Sequence, residues 1–162
     1  MDFVNIKKVL DVRCPDLIDT DGDRPSIMVK PENWGIVSNL LKTDPDLTFD
    51  SLMCLSGFDL GEDDHLGVAY HFYSMDKRHD LEVIIRTPKE NPSIPSIANI
   101  WRAADWHERE AYDMYGIIFE GHPDLKRILL PDDWEGFPLR KDYVQADTYQ
   151  GIIIKKDKTY WK

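Results

Sequence analysis

The chain has 162 residues, 42% hydrophobic and 31% charged, an ordinary globular mixture long enough to bury a core without disulfide staples. Thirty acidic against twenty basic side chains give a formal charge of −10, and so acidic a surface repels a phosphate backbone, which disfavours nucleic-acid binding. Two cysteines, Cys14 and Cys54, give no disulfide framework, fit a reducing cytoplasm and are too few to ligate an iron–sulfur cluster within this chain.

The acidic groups are dense from Asp16 to Asp23 and from Glu62 to Asp64, whereas Lys155, Lys156, Lys158 and Lys162 make the end of the chain locally basic. The longest aliphatic runs, Ile128-Leu129-Leu130 and Ile152-Ile153-Ile154, fall far short of the roughly 18 residues of a membrane span. Met1-Asp2-Phe3-Val4-Asn5 lacks a basic stretch before an apolar block and is not read as a secretory signal.

In chain order, residues 1–24 read as a mixed N-terminal segment, turn-like from Asp16 to Arg24. Ile27-Met28-Val29 reads as a short strand. Pro31 opens a helix, where its missing N–H costs nothing, and Trp34, Val37, Leu40 and Leu41 recur at helical spacing until Thr43-Asp44-Pro45-Asp46 stops it. Three strands follow: Phe49–Phe58, then Leu66, Val68, Tyr70 and Phe72 in alternation, then Leu81, Val83 and Ile85 in the clearest period of two. Short polar links predict an antiparallel meander. Pro88 to Pro95 reads as a loop.

Ser96 to Tyr115 is helical in character, but a continuous helix puts Glu108 in the middle of the face formed by Ile97, Ile100, Trp101, Ala104, Ala111, Tyr112 and Tyr115. A buried carboxylate then needs a partner. A break removes the conflict: Asp105 as N-cap with Glu108 three residues on makes a capping box, and two short helices are expected. From Gly116 onward periodicity fails, with a turn at Gly121-His122-Pro123-Asp124 and a short strand or extended piece at Ile128-Leu129-Leu130. A long stretch of aromatics and charges without local pattern is expected to run over another surface, and residues 144–162 to form a polar tail ordered by a partner. The expected fold is α+β: a mixed or antiparallel sheet of about four strands packed with helices in residues 25–115, then an extended segment, 116–162, without regular structure.

The common catalytic patterns are missing. The nine glycines never form G-x-G-x-x-G, and Gly116 and Gly121 are followed by His122-Pro123 where a phosphate loop has Lys and Ser or Thr. No G-x-S-x-G occurs. In Trp106-His107-Glu108-Arg109-Glu110, position 111 is Ala where a zinc-protease helix has its second His. His107 and Glu110, one turn apart, and Asp113 define the enzyme alternative, a small metal-dependent hydrolase. The blander reading pairs Arg109 with Asp105 and Asp113 at i,i+4. His122 reads as a turn histidine anchoring backbone, and His65, His71 and His79 as surface or half-buried residues. Trp101, Trp106, Tyr112, Tyr115, Trp134 and Tyr143 read as core or interface.

One block carries a family resemblance. It comprises Trp106-His107-Glu108-Arg109-Glu110-Ala111-Tyr112-Asp113-Met114-Tyr115-Gly116-Ile117, then Phe119-Glu120-Gly121-His122-Pro123-Asp124-Leu125-Lys126-Arg127-Ile128-Leu129, then Pro131-Asp132-Asp133-Trp134-Glu135-Gly136-Phe137-Pro138-Leu139-Arg140-Lys141-Asp142-Tyr143. It resembles the thirty-kilodalton subunit family of the proton-pumping NADH–quinone oxidoreductase, respiratory complex I, a family also called the C subunit and, in chloroplasts and cyanobacteria, the J subunit. The match runs from Trp101 to Tyr143; the N-terminal half is similar only in its layout of helix and strands.

The resemblance implies a non-catalytic structural subunit in the peripheral arm, on the cytoplasmic face of the energy-converting membrane. Its partners are the quinone-site subunit and the cluster-bearing subunits, with no direct membrane span. The implied complex moves electrons from NADH through flavin and clusters to quinone, coupled to proton translocation. FMN and iron–sulfur clusters lie in partner subunits and no cofactor in this chain. Glu108, Arg109, Glu110, Asp113, His122, Arg127, Asp132, Trp134, Arg140, Lys141 and Tyr143 are the expected partner-interface residues. Val144 stands where Pro is typical and Lys126 where Arg is common, which removes a bidentate fork. Relatives also occur in membrane-bound hydrogenases and ferredoxin-dependent complexes.

Overall fold

Alternation of apolar and polar residues builds the centre of the molecule. In the computed structural model, which describes residues 1–20, 25–61 and 64–154, the helices are α1 (Phe3–Arg13), α2 (Pro31–Thr43) and α3 (Ala104–Tyr115). The strands are β1 (Ile18–Thr20), β2 (Ser26–Val29), β3 (Ser51–Asp59), β4 (His65–Ser74), β5 (His79–Pro88), β6 (Ser93–Pro95), β7 (Ile118–Glu120), β8 (Thr148–Tyr149) and β9 (Ile152–Ile153). The main sheet has the order β1-β2-β5-β4-β3. The expected meander is present: β3, β4 and β5 pair antiparallel, with Val68 opposite Ile85 and Tyr70 opposite Val83. β2 joins β5 in parallel, so the sheet is mixed, and β1, which lies in the segment read as mixed, adds a fifth strand to the four expected.

One face of the sheet carries the core. Leu66, Val68, Tyr70, Phe72, Val83 and Ile85 are buried there under α2, whose Trp34, Val37 and Leu41 point inward. The Trp34 ring lies 4.7 Å from Tyr70 and the Trp101 ring 4.7 Å from Phe72, as centroids. The Trp101 indole N–H reaches the Phe49 carbonyl at 3.0 Å, so its one polar atom is satisfied.

Several sequence expectations are corrected. The mixed N-terminal segment contains α1, capped by Asp2, whose carboxylate accepts from the Asn5 N–H; Ile6 and Leu10 enter the same core. Its apolar stripe is only these two residues wide, which hides the period. The loop expected at 88–95 contains β6, which pairs in parallel with β7, so the region after Gly116 starts with regular structure. Strands of three residues are too short to show a period, and Pro95 is tolerated at a two-stranded edge.

The two-helix reading of 96–115 also fails. Turns from Ile97 lead into a single helix that starts at Ala104, with Ala103 in the cap position and Asp105 inside the first turn. Ile128 to Leu130 forms no strand. His79 is buried rather than surface or half-buried, its Nε2 2.7 Å from the Leu47 carbonyl. The hairpin β8–β9 turns through Gln150 and Gly151, both at positive φ as a two-residue hairpin requires, within the tail expected to be irregular. The acidic residues Asp21, Asp23, Glu62 and Asp63 and the basic residues 155–162 lie outside the described residues.

Candidate functional site

Two carboxylates on the folded body, Asp113 and Asp59, fasten the strap formed by residues 117–143, and a third, Glu108, lies beneath its beginning. The first is Asp113 near the end of α3. It is fully buried, and its Oδ2 accepts from the backbone N–H groups of Ile128, Leu129 and Leu130 at 3.0, 2.7 and 3.0 Å. Its Oδ1 pairs with Arg127 Nη1 at 2.9 Å. Successive amides converging on an anion form a nest. Burial pushes the Asp113 carboxyl up, but the three amides and the Arg127 guanidinium outweigh it and hold the group below its ordinary value. The extended piece expected at 128–130 is this nest.

The second is Asp59 at the end of β3, an edge strand. It accepts from the backbone N–H of Lys141 at 2.8 Å, from Gly61 N–H at 2.7 Å and from Lys89 Nζ at 3.0 Å. Burial again acts upward and these donors win, so its carboxyl is also held low.

The third is Glu108, midway along α3 and fully buried. It accepts from the Ser96 hydroxyl at 2.6 Å and the Ile97 N–H at 2.8 Å, so its partners come from the turn before the helix. Burial raises its carboxyl, the two donors oppose this and nearby Asp105 adds to it, leaving the group at about 7. His122 brings the strap to this point. Its side chain is fully buried, with Nε2 3.2 Å from the Asp105 carbonyl and 3.9 Å from Glu108 Oε2, and its Nδ1 accepts from the Asp124 N–H at 3.0 Å. Thus His122 does anchor backbone.

Between these points an aromatic clamp closes the helix end. Gly116 caps α3 in the left-handed region at φ 72°, and the Phe137 ring sits where a Cβ would be. Arg127 and Arg140 lie over Phe137 at 5.3 and 4.8 Å from its centroid, and Arg140 Nε donates to the Tyr115 carbonyl at 2.6 Å.

The expected interface residues therefore fall into two groups. Glu108, Arg109, Asp113, His122 and Arg127 make contacts inside the chain. Arg109 pairs with Asp105 at 3.5 Å and stacks on Trp106, but the expected pair with Asp113 is not formed, because Asp113 is taken by the strap. Glu110, Asp132 and Lys141 are exposed and Trp134, Arg140 and Tyr143 half-buried, with the Arg140 guanidinium and the Lys141 amide also bonded inside the chain. Sequence reasoning misses Asp59, Ser96 and the Gly116–Phe137 contact; only the glycine after the helix signals any of them.

His107 and Glu110 line a depression of about 170 Å³ together with Gly57, Tyr115 and Leu139, but Asp113 is bound to residues 127–130 and is not brought to them. Among the described residues no group of three or more His, Cys, Asp or Glu is placed to hold a metal ion.

Residues 27–149 match the family described as "Respiratory-chain NADH dehydrogenase, 30 Kd subunit". A Chloroherpeton thalassium protein, named as the C subunit of NADH-quinone oxidoreductase, is 55% identical over 122 residues, which cover 75% of this chain and 50% of that protein; this chain thus spans about half of that relative. A protein of the same name from Chlorobium phaeobacteroides is 47% identical over 124 residues, covering 76% of this chain and 75% of the relative. Among solved structures, the trypsin-resistant fragment (1-134) of Nqo5 aligns at 27% identity with a TM-score of 0.61, over 74% of this chain and 98% of the fragment. A chain of the membrane-bound sulfane sulfur reductase, an archaeal respiratory membrane complex, aligns at 21% identity with a TM-score of 0.73, over 87% of this chain and 85% of that one, a likeness of fold alone.

Proposed function

Because this chain belongs to the family of the 30-kDa subunit of respiratory-chain NADH dehydrogenase, we propose that it is a non-catalytic, cofactor-free subunit of the peripheral arm of an NADH–quinone oxidoreductase. In this reading FMN and iron–sulfur clusters reside in partner subunits, which pass electrons from NADH to quinone with coupled proton translocation. The chain sits at the cytoplasmic face against the quinone-site and cluster-bearing subunits. No helix of the described residues is long and apolar enough to cross a membrane, which fits peripheral attachment.

The observation that carries the reading is the outer face of the strap. Its charged anchors are spent inward, while Leu129 and Leu139 on it and Val144 just after it are 61%, 52% and 82% exposed. Large apolar side chains in water along a tightly fastened segment mark a contact surface. Glu110, Asp132, Trp134, Arg140, Lys141 and Tyr143 are the partner-facing residues; Glu108, Arg109, Asp113, His122 and Arg127 act by shaping the surface that presents them.

The test is a Leu139→Asp, Val144→Asp double variant. Both positions are exposed, so the chain is expected to fold unchanged, but to be lost from the membrane-bound assembly on native gels, with NADH–quinone activity falling in proportion. Normal incorporation of the double variant refutes the reading, and so does a stoichiometric metal in the isolated chain that disappears in His107→Ala. The alternative, an equivalent subunit of a membrane-bound hydrogenase or ferredoxin-dependent complex, predicts reduction by another donor in place of NADH.

A further inference from the structure

Glu108 occupies a position where its charge is hard to keep. Its carboxyl is fully buried, its two hydrogen-bond partners are the neutral Ser96 hydroxyl and Ile97 N–H, and no Lys or Arg is paired with it among the described residues. Arg109 on the same helix is directed to Asp105 and Trp106. The titratable groups facing Glu108 are Asp105 on α3, Tyr70 on β4 and His122 from the turn after β7.

His122 does not supply the missing charge. Its Nδ1 accepts the Asp124 N–H, so the ring hydrogen sits on Nε2, directed at the Asp105 carbonyl 3.2 Å away and at the Asp105 carboxylate 3.4 Å away. A second proton on the ring requires giving up the Asp124 N–H. Asp124 itself pairs with Lys126 at 2.7 Å, which leaves that lysine engaged outside the cluster.

We propose that Glu108 and His122 form a proton-operated latch: with Glu108 protonated, the Ser96–Ile97 turn and the Gly121–Asp124 turn stay closed on α3, and loss of that proton loosens both. The physical cause is that an ionised carboxylate here is desolvated beside Asp105 with no counter-charge. One response relieves it: the turns open and admit water, so that the proton leaves to solvent and the carboxylate is hydrated. That opening frees the beginning of the strap. Burial sets the midpoint near neutrality, with Glu108 at about 7 against an ordinary 4.5. The latch does not depend on which partners the chain has.

The test uses the full chain and two readouts that must agree. Carbon NMR of the Glu108 side-chain carboxyl gives its midpoint. Hydrogen exchange at the Ile97 and Asp124 amides, corrected for intrinsic catalysis, gives the opening of the two turns. Linkage with values of about 7 closed and 4.5 open raises the opening equilibrium about tenfold from pH 6 to pH 8. Glu108→Gln is expected to flatten that slope. Asp105→Asn is expected to move midpoint and slope together to lower pH, and it serves if Glu108→Gln does not fold. A Glu108 midpoint near 4.5, a flat wild-type slope, a slope that persists in Glu108→Gln, or a slope that stays in place while the Asp105→Asn midpoint moves overturns the proposal.

Discussion

Replacing Asp113 with Asn isolates the charge that holds the strap. Four donors meet the native carboxylate: the amides of residues 128, 129 and 130 on one oxygen and Arg127 on the other. The amide side chain has one acceptor oxygen. Its better orientation keeps that oxygen on the three backbone N–H groups and turns its own NH₂ toward Arg127, whose side chain is only 14% exposed. The variant then loses the charge assistance at three short hydrogen bonds and breaks a largely buried ion pair. Removing one partner of such a pair costs about 3–5 kcal/mol. Against a total stability of about 5–15 kcal/mol for a domain, the loss is large but leaves the sheet intact. It should therefore appear as local opening rather than global collapse. Hydrogen exchange read by mass spectrometry should show protection lost across residues 127–130 while β4 and β5 stay protected, and urea unfolding should begin with an early transition. A double-mutant cycle with Arg127→Met should give a coupling of about 1–3 kcal/mol. Unchanged protection of residues 128–130 in Asp113→Asn refutes the reasoning.

Two further outcomes follow from the same geometry. Gly116→Ala places a side chain at φ 72° against the Phe137 ring; the backbone strain alone is about 1–2 kcal/mol, and displacement of Phe137 should show as loss of its near-ultraviolet and NMR signature. The pH dependence has two limbs of opposite sign. Asp59 and Asp113 are held below their ordinary 3.8, so their stabilisation is present above that value and is lost as pH falls through the folded values. Glu108 is raised to about 7 from 4.5, so its contribution is full below 4.5 and is lost as pH rises through about 7. Urea midpoints from pH 3 to pH 8 should pass through a maximum between these limbs, and a midpoint still rising at pH 8 contradicts the Glu108 limb.

The central sheet is legible in the sequence because β4 and β5 alternate over ten residues each, long enough for a period of two to stand out. Pro31 and the spacing of Trp34, Val37 and Leu41 likewise expose α2. Of the candidate site the sequence shows Glu108, Asp113, His122 and Arg127 but neither Asp59 nor Ser96, and it shows none of their contacts. Asp113 grips the backbone of residues 128–130, and an amide donor leaves no trace in the identity of the residue that carries it. From sequence the strap therefore looks unable to fold on its own chain. Glu108 shows the opposite case. The rule that a buried carboxylate needs a partner is sound, but the break in 96–115 satisfies it by folding Ser96 and Ile97 back onto Glu108 rather than by placing Glu108 in a capping box.

The grip on main-chain amides separates how the strap is held from what it displays. Any residue except proline offers Asp113 and Asp59 the same N–H, so the exposed Leu129 and Lys141 can be rewritten without unfastening anything. One frame can thus be retailored to neighbours of different shape, with its attachment points unaltered while its outward lettering changes.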